Sequence, residues 1–161
     1  MVRRTALCIV AGIFVLSAGL TACGSDSESS VAATDTTTAT TVAATLQEFA
    51  IGTDKASVPA GSVTFDVTNT GPDDVHEFVI IRTDLGAADL PVDKDGAALE
   101  EDASLAAIDE IEDIAVDASA SLTVDMEAGS YVLVCNIVQE EPDGSLEAHY
   151  AEGMRVGFTV T

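Results

Sequence analysis

Apolar and polar residues alternate with period two in several short stretches of the chain. Residues 63–68 read VTFDVT and residues 121–126 read SLTVDM, with apolar side chains at every second position, the pattern of a strand that buries one face. Residues 76–82 (HEFVIIR), 131–137 (YVLVCNI) and 155–161 (RVGFTVT) are rich in β-branched and aromatic residues and read as further strands. Turn-forming clusters separate them: Pro59-Ala60-Gly61, Thr70-Gly71-Pro72-Asp73 and Glu127-Ala128-Gly129. Roughly six short strands punctuated in this way predict an all-β fold, an antiparallel β-sandwich over residues 46–161. One stretch breaks the pattern. Residues 97–114 (AALEEDASLAAIDEIEDI) are rich in helix formers and space Leu105, Ile108 and Ile111 three apart, which predicts a short amphipathic helix in a long crossover.

The N-terminal pattern is of another kind. Arg3-Arg4 precedes an apolar run over residues 5–20, a charged segment followed by a hydrophobic one that is short for a spanning helix, which needs about 20 residues. The run ends in Leu20-Thr21-Ala22-Cys23-Gly24, which resembles a bacterial lipobox. The resemblance implies a signal peptide over residues 1–22, lipidation of Cys23 and an exported, membrane-anchored lipoprotein. An ordinary secretory signal with an incidental cysteine is the plainer alternative. Residues 23–45 then form a lipid-anchored linker rich in Ser, Thr and Ala without a sustained apolar period, expected to be a flexible tether. As a coil of 22 residues from Gly24 it would span on the order of 25 Å. Residues 46–161 make up the remaining domain, in a chain of 161 residues without an internal repeat.

Charge narrows the function classes. With 28 Asp and Glu against 6 Lys and Arg, and a net charge of −22, the chain lacks the clustered cations that phosphate contacts need, so no nucleic acid is expected as a partner. Hydrophobic content of 47% argues against a disordered acidic protein, and aromatic content of 4% against stacked sugar or base sites. Twelve acids fall in residues 84–117. They read either as a solubilising surface or as a docking face for a basic redox partner such as a cytochrome.

Soft and imidazole donors are few. Once Cys8 leaves with the signal and Cys23 is lipidated, Cys135 is the remaining thiol, and an exported chain offers it no intrachain disulfide partner. Taken alone, Cys135 reads as a small buried hydrophobe. The two histidines shift that reading. His76 opens a strand directly after a turn, and His149 lies downstream of Cys135 with Met154 five residues further on. Both imidazoles and the thiol fall at the ends of inferred strands, where sandwich loops gather. Two imidazoles and a thiolate in a plane with a weak axial thioether constitute a blue-copper electron-transfer site, whereas zinc gains little from Met and takes four strong ligands in a closed site.

Asn69-Thr70-Gly71 with His76-Glu77-Phe78-Val79-Ile80, and Tyr131 to Ile137 followed by His149-Tyr150-Ala151-Glu152-Gly153-Met154, resemble the two ligand-bearing segments of the cupredoxin family. The resemblance implies a Greek-key β-sandwich with one mononuclear copper, and His76, Cys135, His149 and Met154 as its ligands. Two features depart from the family pattern. Thirteen residues separate Cys135 from His149, more than is usual, and Glu141-Pro142-Asp143-Gly144-Ser145 within them has strong turn chemistry, so the excess is expected to fold back as a small hairpin. Glu77 stands where many relatives carry an Asn that braces the ligand loops.

The function this predicts is a copper-binding electron-transfer protein outside the cytoplasm, anchored to the bacterial cell membrane. A copper sequestration or delivery protein with the same ligands, and a metal-free β-sandwich serving as an interaction module, are the alternatives. An enzyme is not expected: no G-x-S-x-G occurs, and a single site of this kind moves one electron without a second metal to bind substrate.

Overall fold

The alternating stretches become core-facing strands in the computed structural model, which describes residues 39–161. The strands are β1 (Thr40–Gln47), β2 (Ala50–Thr53), β3 (Ser57–Val58), β4 (Gly61–Asn69), β5 (His76–Arg82), β6 (Ala106–Ile114), β7 (Ser119–Met126), β8 (Gly129–Val134), β9 (Val138–Glu140), β10 (Leu146–Ala148) and β11 (Arg155–Val160). A four-residue helix, α1 (His149–Glu152), precedes β11. One sheet has the order β2-β1-β4-β7 and the other β3-β11-β8-β5-β6, while β9 and β10 pair as a separate hairpin. The β-sandwich stands. Two of its pairings, β1 with β4 and β3 with β11, are parallel, so the sheets are mixed.

The inward positions of both sheets mesh in one core. Val63, Phe65 and Val67 of β4, Val42, Ala44 and Leu46 of β1, Phe78 and Ile80 of β5, Leu133 of β8 and Phe158 of β11 form a single apolar cluster. Phe65 lies at its centre, with ring centroids 5.3 Å from Phe78 and 5.5 Å from Phe158. Each such ring contributes about 1.5–3 kcal/mol by leaving water. Cys135 and Met154 close one end of this cluster.

β5 and β8 do not alternate because both their faces are covered. Val79 and Ile81 of β5, and Val132 and Val134 of β8, point away from the main core into a second cluster with Leu90, Ala98, Leu105 and Tyr150. Leu90, Ala98 and Leu105 belong to the crossover between β5 and β6, which therefore roofs the sheet's outer face. Strands buried on both sides read as near-continuous apolar runs.

The expected helix over residues 97–114 is corrected. Residues 106–114 are the edge strand β6, antiparallel to β5 with two register shifts, and residues 97–105 are turns and a bridge. Helical geometry would stack Asp109 against Glu112 and Asp113 at three- and four-residue spacing, which like charges oppose. β-branched Ile108, Ile111 and Ile114 suit a strand, and its largely exposed, acidic edge discourages pairing with another chain. The linker boundary is corrected as well. Thr40 to Thr45 are not tether but the first part of β1, in register with β4 from Val63 onward. The signal segment, Cys23 and the linker up to residue 38 lie outside the described residues. The expected hairpin within residues 136–148 is present as β9 and β10, with Glu140 opposite Leu146 and Val138 opposite Ala148.

Candidate metal centre

Three of the four expected donors meet at one end of the sandwich. His76 is the first residue of β5, Cys135 follows the last residue of β8, and His149 begins α1. The hairpin returns the chain so that the His149 N–H donates to the Ile137 carbonyl at 2.9 Å. His76 Nδ1 and His149 Nδ1 are 3.2 Å apart, Cys135 Sγ is 3.2 Å from His149 Nδ1, and it is 3.9 Å from His76 Nδ1. The point equidistant from these three atoms lies about 2.0 Å from each, the bond range of imidazole nitrogen and slightly short of that of thiolate sulfur. All three residues are fully buried. Met154 is fully buried in the same apolar cluster as Cys135, one residue before β11.

Backbone ties hold these residues together. The Cys135 N–H donates to the Met154 carbonyl at 3.0 Å, and the Met154 N–H donates to the His149 carbonyl at 2.9 Å. Gly153 has φ 131°, in the region that favours glycine, and a Cβ there would sit 3.1 Å from the Phe49 carbonyl oxygen. The Phe49 ring meets the His149 ring edge to face, with centroids 5.4 Å apart.

Burial leaves the two imidazoles ready to donate and keeps the thiol protonated. Burial lowers the pKa of His76, against the opposing pull of Glu48 and Asp74. Burial also lowers His149, and neighbouring His76 adds to the effect. Both rings are therefore neutral and able to donate at neutral pH. Burial pushes the Cys135 thiol up to about 11, although the backbone N–H groups of Glu77 and Ile137 pull the other way. The Glu77 N–H reaches Cys135 Sγ at 3.4 Å, the kind of contact that offsets charge on a bound thiolate. The Glu77 Oε1 accepts the Asn136 N–H at 2.8 Å and so ties β5 to the residue after Cys135. Burial raises its carboxyl pKa.

Several supporting residues were not legible as such in the sequence. Asn69 is fully buried; its side-chain amide donates to the Asp74 and Ile114 carbonyls at 2.8 and 2.9 Å, and its Oδ1 accepts the Gly71 N–H at 2.8 Å, which shapes the loop leading into His76. Asn136 exchanges two hydrogen bonds with the Ala98 backbone, at 2.6 and 2.9 Å. The Tyr150 hydroxyl donates to the Ala87 carbonyl at 2.8 Å and accepts the Leu90 N–H at 3.2 Å. The crossover is thus latched to the residues that follow Cys135 and His149. Glu48, in the turn between β1 and β2, places Oε1 3.5 Å from His76 Nε2. Asp74 and Glu147 each bring a carboxylate within 4.8 Å of a His149 ring nitrogen.

Comparison with known proteins agrees with this architecture. No protein-family model and no curated protein matches the chain. Among solved structures, auracyanin from the photosynthetic bacterium Roseiflexus castenholzii superposes with a TM-score of 0.50 at 24% identity, over 76% of this chain and 98% of that one. Auracyanin B superposes with a TM-score of 0.50 at 20% identity, over 76% of this chain and 89% of that one. The fold is the cupredoxin fold, and its His76-Cys135-His149 group lies where three strand ends converge.

Proposed function

We propose that this chain is a copper electron-transfer protein, in which His76 Nδ1, Cys135 Sγ and His149 Nδ1 would hold one mononuclear copper and Met154 would add a weaker thioether contact. The observation that carries the proposal is the buried triangle of two imidazole nitrogens and one sulfur, with edges of 3.2, 3.2 and 3.9 Å. Bound copper supplies a one-electron couple between Cu(II) and Cu(I). The chain's own residues do the rest. His76 and His149 would donate as neutral rings, Cys135 would give up its proton to serve as the strong ligand, and the Glu77 N–H would partly neutralise the sulfur's charge. The apolar cluster around Cys135 and Met154 excludes water, and the backbone ties would hold the donors in place through a change of oxidation state. Burial of all three donors leaves no approach for a substrate, which favours a carrier over an enzyme.

The setting follows from the sequence. Lipid on Cys23 anchors the protein to the bacterial membrane on its extracytoplasmic side, and residues 24–39 tether the domain. Its acidic surface suits a basic redox partner such as a cytochrome, with electrostatic steering that weakens as salt rises.

The test is an absorption spectrum of the chain from residue 23 onward, carrying Cys23→Ser and titrated with Cu(II). An intense visible thiolate-to-copper band at one copper per chain, absent in Cys135→Ser, is expected. Stoichiometric copper without that band would favour storage or delivery, and no binding would leave a metal-free interaction module. Lipid-precursor labelling that persists in Cys23→Ser would overturn the anchor.

A further inference from the structure

His76 has two ring nitrogens with different surroundings. Nδ1 faces Cys135 and His149, while Nε2 is buried without a hydrogen-bond partner. A neutral imidazole that gives Nδ1 to a metal must carry its proton on Nε2, so this buried N–H needs an acceptor. The nearest acidic group is Glu48. Its side chain is 11% exposed, its Oε1 is 3.5 Å from His76 Nε2, and its Oε2 is buried with no partner of its own. The same Oε1 accepts the N–H groups of Asp74 at 2.7 Å and Asp73 at 3.2 Å, which hold the carboxylate in place. A buried donor and a buried acceptor, both unsatisfied and on adjacent groups, are costly unless they serve each other.

We propose that Glu48 is the outer carboxylate of the metal centre, a positioning residue that acts through His76. The inference rests on the copper reading above. Glu48 Oε1 or Oε2 accepts the Nε2–H of His76, selects the tautomer with Nδ1 free, sets the orientation of the ring and makes it a stronger donor. A stronger, more anionic donor favours Cu(II) over Cu(I) and lowers the reduction potential. The competing role is a turn staple that only holds the Asp73 and Asp74 N–H groups. Glu48→Gln separates the two, because its amide oxygen keeps accepting those N–H groups while the charge is gone.

The experiment uses the full chain loaded with copper, wild type beside Glu48→Gln. Outer ligand partners are worth about 10- to 100-fold in metal affinity. The expected result is at least a tenfold fall in the Cu(II) to Cu(I) affinity ratio, a rise in potential of about 59 mV or more for this one-electron couple, with the thiolate band retained. The wild-type Cu(I) form is also measured by nitrogen-15 NMR, where a slowly exchanging, downfield-shifted His76 Nε2–H is expected whether or not the variant folds. An unchanged potential in Glu48→Gln, or a wild-type His76 Nε2–H that exchanges freely, overturns the proposal. Failure of the wild-type chain to take up copper overturns both this proposal and the copper reading; a copper-loaded wild type with no variant effect overturns this one alone.

Discussion

Copper loading of this centre should be coupled to the release of one proton per chain, and the structure sets how strongly. The Cys135 thiol is fully buried, and burial raises its pKa to about 11. The metal takes the thiolate, so at pH 7 the binding reaction carries the cost of removing a proton about four units below its pKa, about 5 kcal/mol at 1.36 kcal/mol per unit. His76 and His149 contribute no proton near neutral pH, because burial holds both below the ordinary value of 6.5. The apparent Cu(I) association constant should therefore rise about tenfold per pH unit from about pH 7 to about pH 9 and level off only near 11.

Competition titrations against a Cu(I) chelator of known pH dependence measure the slope. Calorimetry in two buffers with different ionisation enthalpies counts the protons directly. A slope of one together with one proton released is the expected result. A slope that falls to about one half by pH 9 and to near zero by about pH 10 would mean that Cys135 ionises at its ordinary value of 9.0, and would refute the argument from burial. A slope that steepens as the pH falls through 6.5 would mean that the histidines are not shielded from protonation, and would refute the argument from their lowered pKa values.

The same thiol should make the metal-free fold alkali-sensitive. A group whose pKa rises from 9.0 to about 11 on folding stabilises the fold fully below the lower value and loses about 3 kcal/mol as the pH passes the upper one; denaturant unfolding of the metal-free chain should show this loss and Cys135→Ser should lack it. Asn69→Ala leaves the Gly71 N–H and the Asp74 and Ile114 carbonyls without their partner and should cost about 2–4 kcal/mol in the same assay. A cost under about 0.5 kcal/mol would mean that water replaces the amide. Deleting residues 139–146 removes most of the β9–β10 hairpin but keeps Ile137, whose carbonyl accepts the His149 N–H, so the thiolate–copper band should survive, and its loss would show that the hairpin is structural to the site.

The strands that the sequence displays are those whose burial is one-sided or complete. β4 and β7 show their alternation, and β5, β8 and β11 show their β-branched and aromatic content. β1 is concealed by its composition. Val42, Ala44 and Leu46 do alternate inward, but Thr and Ala around them have small side chains that give a weak periodic signal, and the stretch reads as low-complexity tether. β6 is concealed for the opposite reason. As an acidic edge strand it is exposed along nearly its whole length, so no period-two pattern is imposed, and the chance spacing of Leu105, Ile108 and Ile111 imitates a helix. The donors were legible because they are scarce. Their supports were not, because each is a long-range pairing: Glu48 and His76 are 28 residues apart, Asn136 and Ala98 are 38 apart, and Tyr150 and Ala87 are 63 apart.

These pairings also explain why the hidden strand matters to the site. The parallel register of β1 with β4 sets Leu46 beside Asn69, so the turn that follows β1 faces the loop that follows β4. Glu48 thereby reaches the Asp73 and Asp74 N–H groups and His76, and Phe49 reaches the His149 ring. On the other side, the crossover reaches Asn136 and Tyr150, the neighbours of Cys135 and His149. Each of the three donors is consequently held by its own segment and by a second segment distant in sequence. A donor triangle braced in this way would have little to rearrange when one electron is added or removed, which is the property the proposed carrier needs.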